Sequence, residues 1–81
     1  MNKTLVILFS INIITSQPVL EEFYYGGVDR QYYLYIPTTI KPESPLVFVF
    51  HGFTSFAEDI MEYSGMNEIA ETNGFAVCYP Q

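Results

Sequence analysis

The sequence has few positive charges. Three Lys and Arg residues stand against nine Asp and Glu residues, which gives a formal net charge of −6. The three cations, Lys3, Arg30 and Lys41, are far apart in the chain. Nucleic acids and anionic lipid surfaces are bound by clusters of such side chains. The composition therefore argues against both classes of partner.

Cysteine and histidine occur once each, as Cys78 and His51. A single cysteine cannot close an internal disulfide, so we interpret Cys78 as a small buried strand residue; a bond to a cysteine outside this segment is the alternative. With one histidine the sequence has no cluster of metal ligands, and it has no glycine-rich loop that would cradle phosphates. We expect neither a metal nor a cofactor.

The first segment has the pattern of a secretory signal peptide. Residues 1–3 carry one positive charge, residues 4–14 form a mainly apolar run, and Thr15 and Ser16 are small residues near a plausible cleavage point. This run is shorter than the roughly 20 residues of a transmembrane helix. A buried first strand is the alternative interpretation.

We therefore predict a signal peptide over residues 1–16 and a mature segment over residues 17–81. The protein is expected to be secreted and extracellular, without membrane association after cleavage. The sequence leaves its oligomeric state open.

The mature segment begins with the pattern of an antiparallel hairpin. Residues 23–25 are aromatic and end at Gly26-Gly27, and residues 30–36 are rich in aromatic and β-branched types. Pro37 then ends the second strand, since proline has no N–H for a ladder.

A strand–helix–strand unit follows. Residues 46–50 are apolar on both alternating faces, which is typical of a central strand in a parallel or mixed sheet. Ser55 and Glu58 have the spacing of a capping box at a helix start, and Phe56, Ile60 and Tyr63 share one face of that helix. The sequence indicates a helix break at Ser64-Gly65, a second helical stretch ending near Gly74, and a strand over residues 75–79 before Pro80. Met61 and Met66 are interpreted as core residues, and the glutamates 58, 62, 68 and 71 as a solvated face.

The segment His51-Gly52-Phe53 lies where the buried strand is expected to turn into a helix. Ligands of open α/β sheets gather at the carboxyl ends of strands. Gly52 has no Cβ, so a ligand could approach the backbone closely. We expect the amides after it to be unpaired because they begin a helix, and such amides stabilise a developing negative charge. Phe53 is our candidate for this backbone N–H, and His51 for structural support of the turn.

Several ordered motifs resemble the N-terminal part of known secreted esterases. They are R-x-Y-x-L-Y-x-P from Arg30, P-L-V-F-V-x-H-G from Pro45, S-G-M-N from Ser64 and G-F-x-V-x-Y-P from Gly74. Residues 24–81 resemble the polyhydroxybutyrate depolymerase and feruloyl-esterase-like α/β hydrolases. The resemblance implies the N-terminal portion of an α/β-hydrolase fold, a β-hairpin followed by a βαβ unit with an incomplete sheet.

The resemblance also implies a serine hydrolase that cleaves carboxylic esters outside the cell. Its substrates would be polyhydroxyalkanoate-type polyesters or feruloyl and acetyl esters of plant cell-wall polysaccharide. By the same match, the Phe53 N–H would contribute to the oxyanion hole, and a second amide would come from the residue after the nucleophile.

The sequence departs from that family in lacking a catalytic triad. No G-x-S-x-G motif occurs, and His51 has no serine and aspartate arranged around it in a triad pattern. We therefore expect this chain to be inactive by itself. The alternatives are a non-catalytic secreted module that binds polysaccharide or protein through its aromatic residues, and a membrane peptide anchored by an uncleaved residue 5–14 segment.

Overall fold

A computed structural model describes residues 16–81; the predicted signal peptide, apart from Ser16, lies outside the described residues. The chain forms strands β1 (Val19–Tyr25), β2 (Val28–Tyr35), β3 (Leu46–Phe48) and β4 (Ala76–Pro80). Helices α1 (Ala57–Ser64) and α2 (Met66–Asn73) lie between β3 and β4. Neither of these helices is long and apolar enough to cross a membrane, a finding that covers residues 16–81 only.

The strands form one mixed sheet in the order β1-β2-β4-β3. The pairs β1–β2 and β2–β4 are antiparallel, whereas β3 and β4 are parallel and are connected through the two helices. This arrangement confirms the predicted hairpin followed by a strand–helix–strand unit.

The hairpin turns at Gly26 and Gly27, whose φ values are 65° and 79°. Positive φ at both central residues is the requirement of the tight hairpin turn that matches the strand twist, and glycine meets it at little steric cost. Strand β1 begins at Val19, earlier than the predicted Phe23. The additional residues pair with β2 as far as Leu34, so the polar pair Glu21-Glu22 did not end the strand.

Strand β3 occupies the edge of the described sheet, which corrects the prediction of a central strand. Within residues 16–81 its only paired neighbour is β4, and the side chains of Leu46 and Phe48 are about half exposed. The strand also ends at Phe48 rather than Phe50. One further hydrogen bond, from Val49 N to Cys78 O at 2.9 Å, holds the chain against β4 before it leaves the sheet.

Pro80 is the last residue of β4, although the sequence predicted that it would stop the strand before this point. It lies opposite Tyr32 of β2. The next amide, Gln81 N, donates to Gln31 O of β2 at 2.9 Å. Because the N–H groups of successive strand residues point to opposite sides, the nitrogen of Pro80 faces away from β2, toward the edge of β4 where β3 has already ended. The lack of an N–H on Pro80 therefore costs the sheet no hydrogen bond at that position.

Both helices pack on one face of the sheet. Ala57 and Ala70 are fully buried there, which lets the helix backbones approach Val77 and Tyr79 of β4 closely. The predicted core positions Ile60, Met61 and Met66 pack against this cluster, as expected. Phe56 and Tyr63 were predicted to share that apolar face, but both are exposed.

Helix α1 starts two residues after the predicted Ser55, so the capping box is absent. The N-cap residue is Phe56, and no side-chain hydrogen bond from it caps the helix. Ser55 instead donates its hydroxyl to Asp59 Oδ2 at 3.2 Å. The first amide of the helix must therefore find its acceptor elsewhere.

The opposite face of the sheet is not covered by any described element. Apolar side chains from all four strands, together with the buried thiol of Cys78, line an open trough on this face: Phe23, Tyr32, Leu34, Leu46, Phe48 and Pro80. A sheet with parallel strands normally buries both faces. The uncovered face therefore has the apolar composition of a buried sheet face.

Glu71 is partly buried and joins α2 to the end of β2, whereas Glu58, Glu62 and Glu68 are exposed as predicted. Its carboxylate accepts hydrogen bonds from the Tyr35 hydroxyl at 2.8 Å, from Thr38 N at 3.1 Å and from the Thr38 hydroxyl. Glu58 of α1 likewise accepts from the Tyr33 hydroxyl at 2.8 Å. Hydrogen bonds from Thr38 and then Tyr35 lower the pKa of Glu71, against the opposing effect of desolvation.

The lowered pKa of Glu71 predicts a loss of stability in acid. Its contribution is fully present above the ordinary glutamate pKa of 4.5 and disappears as the pH falls through the lower folded-state pKa. Glu71→Gln should therefore lower the thermal midpoint at pH 7, and the difference from wild type should shrink below pH 4.5. Glu62→Gln is the matched control, since Glu62 is exposed on α1. Equal effects of the two substitutions across this pH range would contradict the assignment.

Candidate functional site

The segment after β3 is a tight turn over residues 52–55. Ser55 N donates to Gly52 O at 3.2 Å, which closes the turn. Thr54, at the third position, has a φ of 66°, whereas Phe53, at the second, is not left-handed. This is the pattern of a type II turn, whose third position normally holds glycine or asparagine. A threonine in this conformation is strained, and such residues are concentrated at functional sites.

Gly52 itself is not left-handed, so its conformation does not require glycine. Apart from its chain neighbours His51 and Phe53, a Cβ on Gly52 would meet no atom of the described residues within 4 Å. The absence of a side chain at Gly52 therefore leaves the space beside the turn open for a close approach to its backbone.

The amide of Phe53 lies in this turn. Its N–H forms no hydrogen bond to any acceptor among residues 16–81, and its side chain is 98% exposed. The amide was expected to be unpaired because it begins a helix, but α1 starts four residues later, at Ala57. The turn, and not the start of a helix, therefore leaves the Phe53 N–H without a hydrogen bond among these residues.

The amides at the start of α1 are already paired. Ala57 N donates to the side-chain Oε1 of Gln81 at 2.9 Å, and Asp59 N donates to Phe56 O at 3.1 Å. The pKa of the Glu58 carboxyl is lowered first by a hydrogen bond from its own backbone N–H and next by the Tyr33 hydroxyl. The helix start is thus satisfied within the chain, whereas the N–H of Phe53 in the preceding turn has no hydrogen-bond partner among residues 16–81.

The ring of His51 lies between two carbonyl oxygens. Nδ1 is 2.8 Å from Gly52 O and Nε2 is 3.1 Å from Gln81 O. A neutral imidazole has only one N–H, so both contacts are hydrogen bonds only when the ring is protonated. The Gly52 and then the Gln81 carbonyl therefore raise the pKa of His51 above 6.5, against the opposing effect of desolvation.

These contacts place the predicted residues together but leave the site without a nucleophile. His51, Gly52 and Phe53 form one continuous bend at the carboxyl end of β3, where it lies beside the end of β4. None of the hydroxyls of Ser16, Ser44, Ser55 and Ser64 is hydrogen-bonded to the imidazole in the described structure. The bend can therefore donate a hydrogen bond to a negative oxygen, but it lacks the serine–histidine pair of a hydrolase.

Gln81 is part of this site, and sequence reasoning missed it. It follows β4, and both its side chain and its main chain contact the β3–α1 connection. The sequence offers no local signal for these contacts, because 24 residues separate Gln81 from Ala57.

The strain at Thr54 predicts a stabilising substitution. Thr54→Gly should raise the free energy of unfolding by about 0.5–1 kcal/mol, since relief of a left-handed threonine exceeds the entropic cost of glycine. Thr72→Gly is the matched control: Thr72 lies in α2, where glycine should destabilise because it is a poorer helix former and removes the hydrogen bond from the Thr72 hydroxyl to Glu68 O. Chemical denaturation measures both changes, and a destabilising effect of Thr54→Gly would contradict the turn geometry.

Comparisons with known proteins identify the architecture. No known protein family and no curated protein matches the sequence. The fold is similar to that of an S-formylglutathione hydrolase from Agrobacterium tumefaciens, with a TM-score of 0.73 and 18% sequence identity. The similarity covers 88% of this chain and 27% of that chain.

At this level of identity the likeness establishes the fold and not the activity. The mixed four-stranded sheet with two helices matches a portion of an α/β hydrolase. The predicted fold class is therefore confirmed: residues 16–81 have the fold of part of an α/β hydrolase, with an incomplete sheet.

Proposed function

We propose that this chain forms the N-terminal part of the catalytic domain of a secreted serine ester hydrolase. Its contribution to the reaction is the turn over residues 52–55, which supplies one amide of the oxyanion hole. The observation that carries this proposal is the Phe53 N–H, which has no acceptor among residues 16–81 and lies at the carboxyl end of β3.

The proposed chemistry is stabilisation of a tetrahedral intermediate. When a nucleophilic oxygen attacks the ester carbon, the carbonyl π electrons move to the oxygen, which becomes negatively charged. The fixed N–H of Phe53 would donate to that oxygen, and the open space beside Gly52 would admit it. His51 would support the bend through its two carbonyl contacts rather than act as a base.

The nucleophile, its histidine and its aspartate would come from residues outside this segment. The uncovered trough supports this view, because Leu46, Phe48 and their neighbours form an apolar face of the kind that further elements of an α/β sheet cover. The 27% coverage of the structural neighbour agrees with a partial domain.

The substrate and the location are proposals from the sequence resemblance. We propose carboxylic esters of a polyhydroxyalkanoate-type polyester, or feruloyl and acetyl esters of cell-wall polysaccharide, hydrolysed outside the cell. The pattern of residues 1–16 supports secretion.

A second candidate function is a non-catalytic binding module for polysaccharide or protein. The side chains of Tyr24, Tyr25 and Tyr63 are largely exposed, and exposed aromatic rings stack on sugars. This candidate predicts retention of the chain on insoluble xylan or cellulose, and loss of that retention when the three tyrosines are replaced by alanine.

The proposed function predicts that the 81-residue chain is inactive and that the complete transcript encodes the missing parts. The purified chain should show no hydrolysis of p-nitrophenyl acetate that phenylmethylsulfonyl fluoride inhibits. The complete transcript should encode a G-x-S-x-G motif within about the next hundred residues, the reach of one domain. Inhibitor-sensitive turnover by the chain alone, or a transcript that ends at Gln81, would contradict this proposal.

The role of the Phe53 amide is tested by removing its hydrogen without breaking the turn. Proline is favoured at the second position of a type II turn, and Pro42 already occupies that position before the left-handed Glu43 in the turn closed by Ser44 N and Lys41 O. Phe53→Pro in the polypeptide of the complete transcript should lower kcat about 10²- to 10³-fold, the loss expected for one oxyanion donor.

Phe53→Ala is the matched control, because it removes the exposed ring and keeps the amide. Its kcat should stay within about tenfold of wild type, since the backbone donor is unchanged. Equal kcat values for the proline and alanine variants, both folded by circular dichroism, would show that the amide has no part in catalysis.

A further inference from the structure

Gln81 makes contacts with three separate segments around the candidate site. Its amide N donates to Gln31 O of β2 at 2.9 Å, and its carbonyl oxygen is 3.1 Å from His51 Nε2. Its side-chain Oε1 accepts the first helical amide, Ala57 N, at 2.9 Å. A hydrogen bond from its side chain also helps to lower the pKa of Glu58.

These contacts enclose the turn from both sides. His51 directly precedes Gly52, and Ala57 begins the helix two residues after Ser55. Residues 52–55 therefore lie between His51 and Ala57, and Gln81, at the end of β4, contacts both of these residues. Phe56, the N-cap residue, provides no side-chain cap, so the Gln81 side chain takes the place of a local capping group.

We infer that Gln81 is a positioning residue of the candidate oxyanion turn: its side chain holds the start of α1 and its main chain holds the His51 ring, which together fix the Phe53 amide. This inference rests on the proposed function. It assigns to Gln81 a catalytic effect that acts through the turn, without contact between Gln81 and the substrate.

The hydrogen bond from Ala57 N depends on the length of the side chain at position 81. Asparagine is one methylene shorter and would fall short of Ala57 N, while the main-chain contacts to Gln31 and His51 would remain possible. Gln31→Asn is a matched control, because the Gln31 side chain donates to Glu22 on the hairpin and has no contact with the turn. Its main-chain carbonyl still accepts from Gln81 N.

The first measurement follows individual amides by NMR in the full chain. Gln81→Asn should speed hydrogen exchange of the Ala57 amide about 3- to 30-fold, the equilibrium change that corresponds to loss of a helix cap. It should also shift the Phe53 amide resonance, and Gln31→Asn should change neither. Unchanged Ala57 exchange in Gln81→Asn would overturn the inference without any assay of activity.

The second measurement compares kinetic constants in the polypeptide of the complete transcript. Gln81→Asn should lower kcat about tenfold or more with little change in KM, because a displaced oxyanion donor is lost mainly in the transition state. A purely structural role would lower the amount of folded enzyme and leave kcat per active site, titrated with a phosphonate, unchanged. That result would overturn the inference while the Phe53→Pro variant still tested the proposed function.

Discussion

The parallel pairing of β3 with β4 is the constraint on which the candidate site depends. Val47 lies opposite Val77 and Phe48 opposite Cys78, and Val49 N adds one more bond to β4. This register fixes the point at which the chain leaves the sheet. Everything that follows β3 must then turn within a few residues to bring Ala57 over the sheet, where the helix is buried against β4. The bend at residues 51–55 is the consequence.

The bend is held by contacts that come from distant parts of the chain. The His51 ring and the Ala57 amide both find acceptors on Gln81, and the second ring nitrogen of His51 contacts Gly52 O. The left-handed Thr54 is tolerated because the flanking positions are fixed. In the reaction that we propose, the Phe53 amide, which has no acceptor among residues 16–81, would already be oriented and would stabilise charge without reorganising.

The hairpin and the strand–helix–strand unit could be predicted because their signals are local. Alternating aromatics around Gly26-Gly27 identified the hairpin, and Gly65 and Gly74 end the two helices as expected, each with a left-handed backbone. The edge position of β3 could not be predicted, since an apolar run reports the burial of a strand in a whole domain. The described residues cover only one of its two faces and pair only one of its two edges.

The position of the candidate site could be predicted from the sequence, but the contacts that hold its turn in place could not. Gly52 and Phe53 were identified from their place after an apolar strand. The capping box at Ser55 and Glu58 was wrong because the cap comes from Gln81, a contact between residues 24 positions apart. Glu58 is exposed, as predicted, but it and the partly buried Glu71 also accept hydrogen bonds from tyrosines of β2, and their helical spacing alone does not reveal such partners.

We propose that the Phe53 amide donates to the negative oxygen of an ester-hydrolysis intermediate. This role is tested most directly by a crystal structure of the polypeptide of the complete transcript after inactivation with a phosphonate ester, whose phosphoryl oxygen stands in for that oxygen. We predict a distance of about 2.7–3.1 Å between that oxygen and Phe53 N. A covalent adduct whose phosphoryl oxygen is bound by other donors, with Phe53 N out of hydrogen-bonding reach, would contradict it.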